Sequence, residues 1–277
     1  MREAIVQVVV AAKGMGKTHT SANDIIEEYI LDNPKTGQKG RKVLIFDTNG
    51  EYNDAKLRDK FKVKFRAKPL ALKDLQAWTT SGPVEVRRIL ALNDKNQITD
   101  DVDEMLEILY KILQTYRNGL LVLDDINAYL IDVSSKRVIS SITRNRHRNM
   151  DILIHYQTFR AIPPRIWGNM NLLRFHKTNE NISTVEAKLN NPEIHYIAQA
   201  LVNFKFKTDK RFHLFVDEQE DLIFGKFSRK DFWKACITYL EENKPDILKA
   251  AENRHGKGTD SAYWQCIREL EKYYGNK

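Results

Sequence analysis

Short apolar runs and longer stretches with helical spacing alternate along the first two thirds of this chain. Residues 4–10, 42–47, 120–123 and 151–156 are rich in valine, isoleucine and leucine with little polar alternation, so they read as strands covered on both faces. Residues 84–90 and 172–176 read as shorter strands. Residues 21–31, 100–117 and 134–143 read as helices. In the second of these, Val102, Met105, Leu106, Leu109, Ile112, Leu113 and Tyr116 share a face, Asp100 stands where a cap belongs, and Asn118-Gly119 ends the run. This alternation, continuing to residue 177, predicts an α/β fold with a mainly parallel sheet flanked by helices.

The pattern then changes. Residues 203–207 and 211–216 alternate around Thr208-Asp209-Lys210, as the arms of a β-hairpin do, with residues 222–227 as a further strand. Residues 228–242, 246–254 and 260–274 read as helices, the first with Ser228 and Asp231 as a capping pair. The expected organisation is a large domain over residues 1–227 and a small helical C-terminal appendage over 228–277. Residues 60–68 alternate basic and apolar without a break, which predicts a strand with one lysine-rich face.

The first strand runs into Ala11-Ala12-Lys13-Gly14-Met15-Gly16-Lys17-Thr18, and a helix follows. Strand, glycine-bearing loop, Gly-Lys-Thr and helix is the pattern of a phosphate-binding loop. Glycines at 14 and 16 let the backbone curl so that N–H groups from Lys13 to His19 face phosphate oxygens. Lys17 supplies a positive charge for the outer phosphates, and Thr18 a hydroxyl for Mg²⁺. Ala11 replaces the first glycine of the strict pattern, a slot that a small residue fits.

Further along, four apolar residues deliver Asp124 and Asp125 to a strand end. On the strand neighbouring the phosphate loop, Asp124 would hold Mg²⁺ through water and Asp125 would orient or deprotonate an attacking water. Gln157 ends the next strand, where an amide facing the outermost phosphate reports whether it is present. Together these residues predict hydrolysis of ATP with Mg²⁺.

Composition narrows the partners. The 277 residues carry a formal charge of +8 and a pI near 9.2, which favours a polyanion such as nucleic acid, although a basic enzyme without such a partner fits equally. No apolar run approaches the ~20 residues of a membrane helix. The two cysteines suggest no disulfide framework, which points to the cytoplasm. Lysines at 205, 207 and 210 with Arg211 form a second basic patch beside that of residues 60–68, and either patch could follow a phosphate backbone.

The stretch Asp47…Gly50-Glu51-Tyr52, the Asp124-Asp125 pair, and the arginine-rich segment from Arg146 to Gln157 followed by Pro163 resemble the FtsK–HerA superfamily of ring-shaped DNA-pumping ATPases. That superfamily includes viral genome-packaging motors and Zot-type phage assembly ATPases. The resemblance covers residues 4–178. It implies a RecA/ASCE-like P-loop NTPase sheet, double-stranded DNA as partner, and a homo-oligomeric ring of five or six copies. Ala11 departs from the family, and so does Asp125, where most motors carry glutamate. In a ring of this kind a neighbour's arginine completes each site, and Arg146, then Arg148, then Arg144 are the candidates, with Arg160 as a further one. A compact chain of this type looks most like the packaging ATPase of a tailed phage docked on a portal. The alternatives are a conjugative or filamentous-phage extrusion ATPase of the same superfamily, a small P-loop kinase, or an ATP-binding scaffold.

Overall fold

The computed structural model describes residues 4–93, 95–126, 136–256 and 260–275. In chain order the first elements are β1 (Val6–Val10), α1 (Lys17–Ser21), α2 (Glu27–Ile30), β2 (Lys42–Phe46), β3 (Ala67–Pro69), α3 (Leu75–Ser81) and β4 (Val86–Ile89). They are followed by α4 (Val102–Thr115), β5 (Gly119–Leu123), α5 (Lys136–Ile142), β6 (Asp151–Tyr156) and α6 (Pro164–Trp167). The rest are β7 (Leu172–His176), α7 (Pro192–Lys205), β8 (His213–Asp217), β9 (Leu222–Gly225), α8 (Arg229–Asn243), α9 (Pro245–His255) and α10 (Asp260–Tyr274). The chain divides into two compact units. The first comprises Met1–Val9, Gly16–Gln157 and Ala161–Met170, and the second Val10–Met15, Thr158–Arg160 and Asn171–Lys277.

In the first unit the strand order is β3-β4-β2-β5-β6-β1. β3 with β4, β4 with β2, β2 with β5, and β5 with β6 are parallel. Every residue of β5 and β6 is buried, as expected of central strands covered on both faces. The order corrects one expectation. β6 lies between β5 and β1, so the strand carrying Asp124 is not the neighbour of the strand carrying the phosphate loop. The strand ending at Gln157 occupies that middle place.

Helices α1 and α2 are joined through a π-helical turn, Ala22–Ile26, into one helix over residues 17–30. The cap of α4 is Asp101 and not Asp100: its carboxylate accepts from the Asp103 and Glu104 amides. Residues 134–135, the expected start of α5, lie outside the described residues.

The predicted strand over residues 60–68 is also corrected. Lys56–Phe61 forms a π-helical turn, Lys62 is left-handed at φ 61°, and only Ala67–Pro69 pairs as a strand. The alternation survives as burial. Phe61, Val63, Phe65 and Ala67 enter a core shared with Ile26, Tyr52 and Leu57, while Lys60, Lys62, Lys64, Arg66 and Lys68 stay exposed. Side-chain burial anchors most of this segment, helped by Asn23 donating to the Phe61 carbonyl at 3.0 Å and by the short pairing of Ala67–Pro69 with β4.

In the second unit β7 pairs antiparallel with β8, and β8 with β9. The hairpin exists, but it is β8–β9. Residues 203–205 complete α7, whose buried Ile194, Ile197, Ala198, Leu201 and Val202 continue the helical period to that point. Asp221, left-handed at φ 51°, lies in the connection between β8 and β9. Ser228 and Asp231 cap α8 reciprocally, as the sequence predicts. Among the described residues no helix is long and apolar enough to cross a membrane.

Candidate functional site

The loop after β1 has the backbone its sequence requires. Gly14 and Gly16 have φ of 83° and 84°, a region in which a Cβ is strained. Ala11 is fully buried and is not among the positive-φ residues, which explains why alanine serves where the strict pattern has glycine. Gly16 precedes the first turn of α1, and the Thr20 amide donates to its carbonyl at 2.9 Å. Lys13 and Gly14 are exposed, and Met15, Lys17 and Thr18 half-buried. The ring of His19 packs edge-on against Phe61.

At the C-terminal ends of β5 and β6, the first unit gathers four of the predicted groups. Lys17 Nζ lies 3.1 Å from Asp125 Oδ1, and Gln157 Nε2 donates to that same oxygen at 2.6 Å. Asn49 Nδ2 reaches Asp125 Oδ2 at 3.4 Å. Asp125 itself is left-handed at φ 49°, a conformation that aspartate tolerates better than most residues. That turn swings the short carboxylate toward Lys17.

Asp124 is held differently. It is 5% exposed, and its Oδ1 accepts from His155 Nδ1 at 2.7 Å and from the Asp125 amide at 3.0 Å. Burial opposes its charge, but His155, Lys17 and the Asp125 amide outweigh burial and hold its carboxyl below the usual range. A buried, ionised carboxylate on β5 and the Thr18 hydroxyl are hard oxygen donors of the kind that suit Mg²⁺, so these residues fit that ion. The imidazole of His155 continues to Ser21, with Nε2 and Oγ 2.8 Å apart.

The turn after β2 is locked by Asp47, which accepts from the Glu51 and Tyr52 amides at 2.8 and 3.1 Å and from Arg88 Nη1 at 3.0 Å. Burial raises the Asp47 pKa, and Arg88 and the two amides work against that rise. This explains the spacing of Asp47 and Gly50-Glu51-Tyr52: the acid binds the amides of its own turn, which Gly50 closes at φ 64°.

The arginines lie elsewhere. Arg144, Arg146 and Arg148 precede β6, whereas Gln157 follows it, so six strand residues separate them, roughly 20 Å at a rise of about 3.3 Å per residue. Arg148 is occupied: it donates to the Leu113 carbonyl at the end of α4 and to Gln114 Oε1. Arg144 and Arg146 are exposed. None of the three can serve the site of its own chain. Arg160, in the second unit, pairs with Glu180 at 3.7 Å.

Four residues of this constellation escape sequence reasoning. His155 sits inside an apolar run, and its polarity within a buried strand is the one available signal. Ser21 and Arg88 gain meaning only from strand order. Asn49 lies inside the Asp47–Tyr52 stretch, where nothing in spacing separates it from an ordinary turn residue.

The profile of the helicase HerA central domain matches residues 8–226. Among solved structures the chain is similar to the genome packaging NTPase B204 of Sulfolobus turreted icosahedral virus 2. With ATP-gammaS bound, the identity is 16% over 81% of this chain and 97% of that one, with a TM-score of 0.52. With AMP bound, the identity is 15% over the same shares, with a TM-score of 0.54. B204 of Sulfolobus turreted icosahedral virus, described as a DNA-packaging ATPase, is 14% identical over 81% and 97% of the two chains, with a TM-score of 0.51. At such identities the likeness speaks for the fold, a mostly parallel P-loop NTPase sheet flanked by helices. No curated protein matches significantly. The family profile spans well over half of the chain, and the chain therefore belongs to the HerA central-domain family of the FtsK–HerA superfamily.

Proposed function

We propose that this chain hydrolyses ATP and spends the free energy on moving double-stranded DNA, as the motor subunit of a viral genome-packaging ring. The observation that carries the proposal is the convergence of Lys17 and Gln157 on one oxygen of Asp125, beside an ionised Asp124. The family match and the fold shared with packaging NTPases support it.

Without nucleotide, Lys17 is paired with Asp125. The phosphates of ATP, more highly charged, draw Lys17 toward the loop amides and release Asp125. The freed carboxylate, oriented by Gln157, would take the proton of a water whose oxygen bonds to the γ-phosphorus while the bond to ADP breaks. Thr18 and Asp124 would hold Mg²⁺, which supplies charge neutralisation on the phosphates. A neighbour's arginine would complete each site, with Arg146 the first choice, then Arg148, then Arg144. A portal is the docking partner that a packaging role calls for.

For the DNA contact the stronger candidate is the surface around the end of α7. Lys205, Lys207, Lys210 and Arg211 lie close in sequence there, with a single acid, Asp209, among them. Lys210 Nζ sits 4.3 Å from the centre of Phe206, and Lys234 Nζ 4.9 Å from that of Phe204. Rings seat these cations without neutralising them, which suits grips on phosphate that read no bases. Each patch has one lysine already paired, Lys205 with Asp231 at 3.2 Å and Lys68 with Glu85 at 2.6 Å, so the ring-seated Lys210 and Lys234 carry the preference.

The test is ATP turnover with and without double-stranded DNA. Stimulation by DNA, lost in Lys17→Ala and weakened when Lys207, Lys210 and Arg211 are changed to glutamate, is expected. Turnover indifferent to DNA and dependent on a small acceptor would replace this reading with a P-loop kinase.

A further inference from the structure

His155 near the end of β6 bonds Asp124, and Gln157 just past that strand bonds Asp125. The register explains the match. Leu123 pairs with Ile154, so the next residues, Asp124 and His155, leave their strands side by side. His155 then spans from β5 to helix α1 on its other side. Its Nδ1 faces Asp124 Oδ1 at 2.7 Å and its Nε2 faces the Ser21 hydroxyl at 2.8 Å. His155 and Ser21 are both completely buried, so no water competes for these bonds. Ser21 stands three residues after Thr18 on the same helix, a spacing that puts both on one helical face.

We infer that His155 is the positioning residue of the metal site: the Asp124–His155–Ser21 relay fixes the Asp124 carboxylate relative to the helix that presents Thr18. This inference rests on the ATPase reading. Neither Asp124 nor Thr18 moves alone. The imidazole is a rigid spacer bonded at both ends, so the gap between the two oxygen donors is set by a side chain that touches neither nucleotide nor ion. Hydrogen bonds to a ligating carboxylate of this kind typically change metal affinity by ~10–100-fold when removed.

The variants separate the two ends of the relay. Asparagine at 155 can still donate to Asp124 from nearly the place of Nδ1 but cannot reach Ser21. Ser21→Ala breaks the far end alone, and His155→Ala removes both. Two readouts are taken on each folded variant: binding of a fluorescent ATP analogue in EDTA, and binding of Mn²⁺ to the analogue complex by electron paramagnetic resonance. We expect metal-free nucleotide affinity to stay within about twofold of wild type throughout. Mn²⁺ affinity should fall by ~10–100-fold in His155→Ala, and by a smaller, similar factor in His155→Asn and Ser21→Ala. Loss of nucleotide and metal affinity together would mean that His155 is merely structural, and would overturn the inference. Unchanged Mn²⁺ affinity in Ser21→Ala and His155→Asn would overturn it as well, and these two variants decide the matter if His155→Ala does not fold. A wild-type chain that binds neither the analogue nor Mn²⁺ with it would instead refute the ATPase reading.

Discussion

At φ 49°, Asp125 holds its carboxylate against Lys17 and Gln157 in a conformation that costs about 1 kcal/mol for a residue with a Cβ. Residues held this way cluster at working sites, and here the turn brings the short aspartate side chain within 3.1 Å of Lys17. Asparagine tolerates the same conformation and preserves the acceptor oxygen, but it carries no charge for Lys17 and cannot take a proton. Asp125→Asn should therefore bind ATP as tightly as wild type or tighter, since Lys17 is released, while single-turnover hydrolysis falls by at least ~10²-fold. Equal turnover would remove Asp125 from the chemistry. Lys17, Asp124, Asp125 and Gln157 were legible in the sequence because each sits at a fixed offset from a strand end. His155 was not, because its partners lie on β5 and α1, and nothing local to β6 shows which strand will be its neighbour.

At the scale of elements, strands and helices were read well where one face is uniformly apolar, and misread where a helix end imitates a strand. Residues 203–205 alternate as a strand would, yet the core-facing residues of α7 carry the helix through them. Residues 60–68 alternate too, and the apolar half is buried without forming a strand. Buried polar pairs then tie elements together in ways that periodicity does not reveal. His195 of α7, completely buried, bonds Glu218 at 2.9 Å and the Asn191 carbonyl at the same distance. Burial opposes protonation of His195, but Glu218 and the carbonyl more than offset it and raise its pKa above the ordinary histidine value. A raised folded-state pKa gives stability that is fully present below the unfolded value, about 6.5, and is lost as pH rises through the folded value. Urea unfolding of wild type and His195→Gln should show the larger difference near pH 6 and a smaller one near pH 9. A difference that grows with pH would mean that the ring is neutral in the folded protein.

For the whole molecule, the charge of +8 stated only that a polyanion fits, whereas the seating of Lys210 and Lys234 on phenylalanine rings suggests where it would lie. Assembly was less legible still, because a sequence shows that arginines precede β6 but not that they stand a strand's length from their own Lys17. That separation makes a sharp prediction. Copies carrying Lys17→Ala and copies carrying Arg146→Ala should each be inactive, while a mixture regains part of the activity, since some junctions then pair an intact loop with an intact arginine. Additivity of two inactive preparations would exclude catalysis shared across subunits. If sites are shared between copies, the same separation would make the contacts between them head-to-tail. Such a contact would have no built-in end: a row of copies would leave one reaction centre unfinished at its terminus, and only closure into a circle would remove the defect. Turnover per copy would then rise with the length of the row and reach its limit when the row closes, and closing around the DNA would itself be the event that completes the engine.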